Sequence, residues 1–221
     1  MSAFKQQIMS AMQPLAHATA AVAMRAYQRN QFDFLGLAAP ARRAASMPLI
    51  KGLEVKSAAH LMIEANALWD LPQREYQYIA VDLLARHVKH LSGQDIPALL
   101  ALAQQKPWWD TVDGLVKVIG AIVKADKALQ SQMDAALLHD DFWLRRIAML
   151  HQLAWKGETD VERLKAYAKQ LAPESEFFIR KAIGWALREY AWHDPASMRV
   201  FLIQMGDTLS PLSRREAGKH L

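Results

Sequence analysis

Apolar residues recur along almost the whole chain with the 3.6-residue period of amphipathic helices, and runs of alternating apolar and polar residues, the mark of strands, are hard to find. Between the Gly, Pro, Asn and Asp breakers the pattern predicts helices at residues 3–12, 14–30, 40–50, 55–69, 73–91, 95–104, 108–124, 127–138, 142–155, 159–171, 175–192, 195–205 and 211–220. The connections are short, so consecutive helices pair into hairpins, and such pairs repeat every 35 to 40 residues or so. Within 108–124 the stripe is Val112, Leu115, Ile119, Ile122 and Val123; within 175–192 it is Ile179, Ile183, Ala186, Leu187 and Tyr190. In 142–155, Trp143, Ile147, Leu150 and Ala154 face inward.

A hairpin of that length matches a HEAT-type repeat, and the fold expected is all-α, an α-solenoid of HEAT-like repeats. In a solenoid the second helices of successive hairpins line up into one wall, so residues far apart in sequence share a surface. No low-complexity linker interrupts the chain, and residues 1–221 are read as a single domain, with the loop around Asn30–Gly36 as its hinge.

Against that background several polar and aromatic residues are out of place. Trp109 and Asp113 stand four residues apart on one side of a helix, with Asp113 roughly 120° from the centre of the apolar stripe. Lys117 follows one turn later, and from spacing alone an ordinary helix-end charge paired with it is the plainer account of the acid. The helix at 175–192 repeats the theme, with Lys181, Trp185, Arg188 and Trp192 opposite its stripe; a neighbouring repeat covering this face, with the cations stacked on the indoles, is the alternative account. Arg145 points outward and Arg146 lies on the flank of its helix, where either guanidinium fork reaches a phosphate or pairs with Asp140 or Asp141.

Composition narrows the chemistry. The chain has 221 residues, a net charge of +5 and no cysteine, with a pI near 9.5. An anionic partner suits the charge, while disulfides, Cys-based zinc sites and thiol nucleophiles are excluded. His87 and His90 are three apart on a helix, but no carboxylate completes a metal shell, and neither a phosphate-binding glycine loop nor a Gly-x-Ser-x-Gly elbow is present. The apolar run Leu15 to Met24 has one lysine before it, a histidine inside it and Arg25 directly after it, which does not fit a secretion leader; no run approaches the 18 or so apolar residues of a membrane span. A cytoplasmic protein is expected.

The ordered set Tyr27, Gln31-Phe32-Asp33-Phe34-Leu35-Gly36, Pro40-Ala41-Arg42-Arg43, Leu68-Trp69 and Arg74-Glu75-Tyr76-Gln77-Tyr78 is followed by Trp108 to Asp113 and Trp143-Leu144-Arg145-Arg146. Phe177 to Tyr190 and Leu209 to Glu216 complete it. Through nearly its whole length the chain thereby resembles the AlkD-type DNA alkylation-repair glycosylases. The resemblance implies a crescent whose basic concave face holds duplex DNA and from which cationic alkylpurines, chiefly 3-methyladenine and 7-methylguanine, are excised without insertion of the lesion into a pocket. It implies Asp113, Trp109 and Trp185 as the catalytic cleft and Arg146 as a DNA contact, with Tyr27 at the edge. Arg145, Lys181, Arg188, Arg43 and Lys117 are the further cations expected to meet DNA. No cofactor, metal or membrane enters this reading, and a crescent around duplex DNA works as a monomer. Two positions depart from the family pattern: Ala38-Ala39 replaces a more polar segment, which would alter DNA contacts, and Gln73 replaces a glutamate, which concerns helix capping. A repeat protein that binds DNA without cleaving it, and a protein–protein scaffold, are the alternatives.

Overall fold

The computed structural model describes residues 2–221. Among them are thirteen α-helices and no strand, with one isolated bridge between Asp33 and Gln73. Every predicted helix is found, with trimmed ends: residues 14–30 divide into a 3₁₀ turn and a helix, 73–91 stops its α-helix at Arg86, and 142–155 stops at Leu150, leaving Ala154 exposed. The chain contacts divide into two compact units, one ending at Asp95 and the other spanning Ile96–Leu221.

The first unit holds α1 (Ala3–Met12), α2 (Ala18–Tyr27), α3 (Ala39–Gly52), α4 (Ala58–Trp69) and α5 (Arg74–Arg86). Ser2 and Ser57 start α1 and α4 by accepting from the amides of Lys5 and His60. The helices pack α4 on α5, α3 on α5 and α1 on α3, around Ile8, Met12, Ile50, Leu61, Leu68, Trp69, Ile79 and Leu83. The most polar part of this core is the start of α5. Glu75, fully buried, accepts from the backbone amides of Leu35, Gly36 and Leu37 at 2.9, 2.8 and 3.1 Å. Buried Arg74 stacks its guanidinium 3.7 Å from the centre of the Phe32 ring, and its amide donates to the Asp33 carbonyl at 2.8 Å. Gly36 has φ +91°, and a Cβ there would fall 2.2 Å from the His17 carbonyl oxygen, so only glycine fits. The expected hinge at Asn30–Gly36 is therefore a pinned loop inside one unit. Gln73 flanks α5 without a capping hydrogen bond from its side chain, so its expected capping role falls to the Asp33 carbonyl.

The second unit holds α6 (Ile96–Ala103), α7 (Trp109–Ala125), α8 (Gln130–Leu137), α9 (Phe142–Leu150), α10 (Val161–Leu171), α11 (Phe177–Ala191), α12 (Pro195–Met205) and α13 (Pro211–Ala217). Asp141, Asp160, Glu176, Asp194 and Ser210 each cap the helix that follows. Consecutive helices pack as pairs, α6 with α7, α8 with α9 and α10 with α11. The second members also pack side by side, α7 on α9, α9 on α11 and α11 on α13, which is the wall expected of stacked hairpins. Two glycines set its spacing. A Cβ on Gly120 of α7 would meet the His151 carbonyl oxygen at 2.1 Å, and one on Gly184 of α11 would meet Glu216 Cβ at 2.4 Å. The five stripe residues of α7 are all buried.

Candidate active site

The centre of the wall is an ion pair between neighbouring second helices. Arg146 of α9 donates from Nε to Asp113 Oδ1 at 2.8 Å and from NH2 to Oδ2 at 2.9 Å, and its NH1 reaches the Phe178 carbonyl at the start of α11 at 2.5 Å. One guanidinium thus ties α7, α9 and α11 together, and the parallel fork fixes the plane of the carboxylate. Arg146 keeps 5% of its side chain exposed and Asp113 16%, so the arginine lies beneath and an edge of the acid stays open. Burial pushes the Asp113 carboxyl above its ordinary value; the hydrogen bonds and charge of Arg146 and the charge of Lys117 oppose the rise, and Asp110 adds to it.

This placement corrects two expectations. Asp113 does not stand clear of the packed side of α7, and Arg146, expected to face a phosphate, is buried and spends its fork on Asp113. A direction 120° from the α7 stripe points at α9 in the wall rather than at solvent, which periodicity along one helix cannot register. Trp109 is the first residue of α7, half-buried and one turn ahead of Asp113. Its neighbour Trp108 takes the packing role, 5.4 Å from Phe178 edge-on and 6.2 Å from Trp143. Phe142 extends that aromatic cluster, with its ring centre 4.6 Å from Trp143.

The remaining residues separate into groups. Lys117 is exposed one turn beyond Asp113 and acts on it through its charge. Trp185 is half-buried on α11, between Lys181 and Arg188, both of which close on Glu216. The neighbouring-helix account of that face thus holds for the cations, with α13 as the neighbour. Trp192, 64% exposed, packs on His220 at 4.6 Å. Arg145 does not point into solvent, and its carboxylate partner is neither Asp140 nor Asp141. It forks onto Glu174 at 2.7 and 2.8 Å and donates to the carbonyls of His139 and Asp140. That leaves it an anchor of the loop before α9.

In the first unit, Arg43 is exposed and shares Asp82 with buried Arg42. Tyr27, 73% exposed, lines a cleft of about 380 Å³ with Met24, Phe34, Arg42 and Tyr78. His87 donates from Nε2 to the Ile50 carbonyl at 2.9 Å, as a packing histidine. Sequence reasoning missed Glu216, Glu174, Asp82 and the structural part of Glu75. For Glu216 a signal existed, since it is the one acid in the basic run Ser213 to His220 and precedes Lys219 by three residues.

The comparisons place this all-helical chain in a family named for DNA alkylation repair. It matches the model of the DNA alkylation repair enzymes over residues 8–221, and it belongs to that family. Among solved structures it is similar to one described as a predicted DNA alkylation repair enzyme from Enterococcus faecalis, with a TM-score of 0.88 and 35% identity over 93% of this chain and 96% of that one. No curated protein matches it. Family membership implies DNA as the substrate. Among the described residues no group of His, Asp and Glu is placed to hold a metal, and no helix is long and apolar enough to cross a membrane.

Proposed function

We propose that the protein is a monofunctional DNA glycosylase that hydrolyses the N-glycosidic bond of cationic alkylpurines, 3-methyladenine and 7-methylguanine above all, in duplex DNA. The observation that carries this is the carboxylate of Asp113, fixed through both oxygens by a buried arginine and left with one open edge. A purine alkylated at N3 or N7 already bears a positive charge. When the bond between C1′ and the base breaks, both electrons go to the base, which departs neutral and needs no general acid. The deficit appears on the deoxyribose as an oxocarbenium-like state, and water then adds to C1′ and gives up a proton to leave an abasic site. One carboxylate serves this chemistry, where glycoside hydrolases use two. Asp113 stabilises the developing cation and orients the water. The indoles of Trp109 and Trp185 add cation-π stabilisation of about 0.5 to 2 kcal/mol each, so the acid dominates. The lesion leaves from the duplex without entering an enclosed pocket.

Release of methylated base from alkylated duplex DNA tests this reading. Asp113→Asn lowers release by about 100-fold or more, the scale of losing one electrostatic partner of a transition state, while duplex binding stays nearly intact. Wild-type protein that binds duplex DNA tightly but frees no base would refute the enzyme and leave a DNA-binding module. Absence of salt-sensitive DNA affinity would leave a scaffold.

A further inference from the structure

Glu216 of α13 is 6% exposed, and three cations from two segments converge on it. Lys181 Nζ lies 3.1 Å from Oε1 and Arg188 NH1 2.7 Å from Oε2, both from α11, and Lys219 Nζ, just past α13, lies 2.9 Å from Oε1. The close approach depends on Gly184, over which Glu216 packs. Lys219 first, then Lys181 and Arg188, hold the Glu216 carboxyl down at about 2 against the cost of burial. A buried carboxylate needs one cation to balance it; here three positive charges meet one negative charge, and two are left in excess. The geometry orders them in depth, with the Glu216 side chain 8% exposed and those of Arg188, Lys181 and Lys219 22%, 36% and 46%. The acid is underneath, the cations lie above it, and each ammonium has donors left over on the solvent side.

We propose that Glu216 is a positioning residue that gathers Lys181, Arg188 and Lys219 into one receptor for a single backbone phosphodiester of DNA, on the α11 face that carries Trp185. Three cations this close repel one another and would splay apart; the buried carboxylate cancels that repulsion and keeps their heads together. The receptor has the character of a phosphate contact, which sets position and register, and no group in it reads a base edge. The inference rests on DNA being the substrate but not on bond cleavage.

Binding of the full chain to undamaged duplex DNA, measured from 50 to 200 mM salt, tests it. Lys219→Met, an exposed change, lowers the slope of log affinity against log salt by part of the roughly 0.9 that one phosphate contributes. That one phosphate corresponds to about three- to fourfold in affinity over this salt range. Adding Lys181→Met and Arg188→Met brings the total loss to about 0.9, the share of one phosphate, and no further, because the three serve one phosphate. Glu216→Gln adds a net positive charge yet weakens binding, because the cations lose their common anchor. An unchanged slope in the triple variant, a drop of about 0.9 for each cation removed, or tighter binding by Glu216→Gln would each overturn the proposal. If Glu216→Gln fails to fold, the lysine and arginine series decides alone. Base release does not enter these readouts, so this inference and the glycosylase reading fail separately.

Discussion

Replacing Arg146 with methionine leaves the Asp113 carboxylate on a site that keeps only 16% of its side chain exposed, with no counter-charge at bonding distance. Breaking a buried pair from one side costs about 3 to 5 kcal/mol. Protonation sets a ceiling, because a carboxylate with an ordinary value of 3.8 can be neutralised at pH 7 for about 4 kcal/mol, at 1.4 kcal/mol per unit. The expected loss at pH 7 is therefore about 3 to 4 kcal/mol. The pH dependence gives a second check. Arg146 opposes the rise that burial imposes on Asp113, so its removal raises the folded-state value further. A raised value means that the folded state binds the proton more readily than the unfolded state, so the lost stability returns as pH falls from 7 towards the ordinary carboxylate range. Urea unfolding from pH 4 to 7 measures both. In the double variant with Asp113→Asn no stranded charge remains, and the combined loss falls short of the sum of the single losses. A cost below about 1 kcal/mol, the range of surface pairs, or a cost that does not change with pH, would refute the view of this pair as a buried lock.

Three further outcomes follow from the packing. Gly120→Ala drives a Cβ into the His151 carbonyl, forces α7 from α9 and lowers stability by about 1 to 3 kcal/mol or more; thermal unfolding shows the loss, and base release falls with it because the same spacing carries Asp113 and Arg146. Glu75→Gln puts an amide NH₂ against backbone donors and strands at least one buried amide of residues 35–37, costing about 1 to 3 kcal/mol by urea titration. His151 is held down to about 4 by burial, and its Nε2 has no hydrogen-bond partner. The unfolded chain takes up that proton first, so stability declines from pH 6.5 to 4, by about 3 kcal/mol if His151 acts alone, and His151→Gln shows a shallower decline.

What the sequence determined by itself is local. The 3.6-residue period, capping residues such as Ser57, Asp160 and Asp194, and breakers such as Pro211 specify thirteen helices and their buried stripes, because a helix face and its ends are properties of residues within about four positions of each other. Short connections then imply hairpins, and the linked aromatic and acidic motifs mark Trp109, Asp113 and Trp185. Only the tertiary structure decided which side of each helix met a neighbour. Asp113 and Arg146 are 33 residues apart, and Glu216 is 28 from Arg188, so no period along one helix relates them. Their pairing follows from the side-by-side packing of α7, α9, α11 and α13, and from glycines at 120 and 184 that let backbones close to distances where charges must pair. Cations that the sequence offers as free phosphate contacts are divided by that packing into anchors such as Arg145 and Arg146, and a gathered set around Glu216. The same residue types do opposite work, because desolvation by a neighbouring helix, rather than residue identity, decides whether a charge is spent inside the protein or presented to a partner.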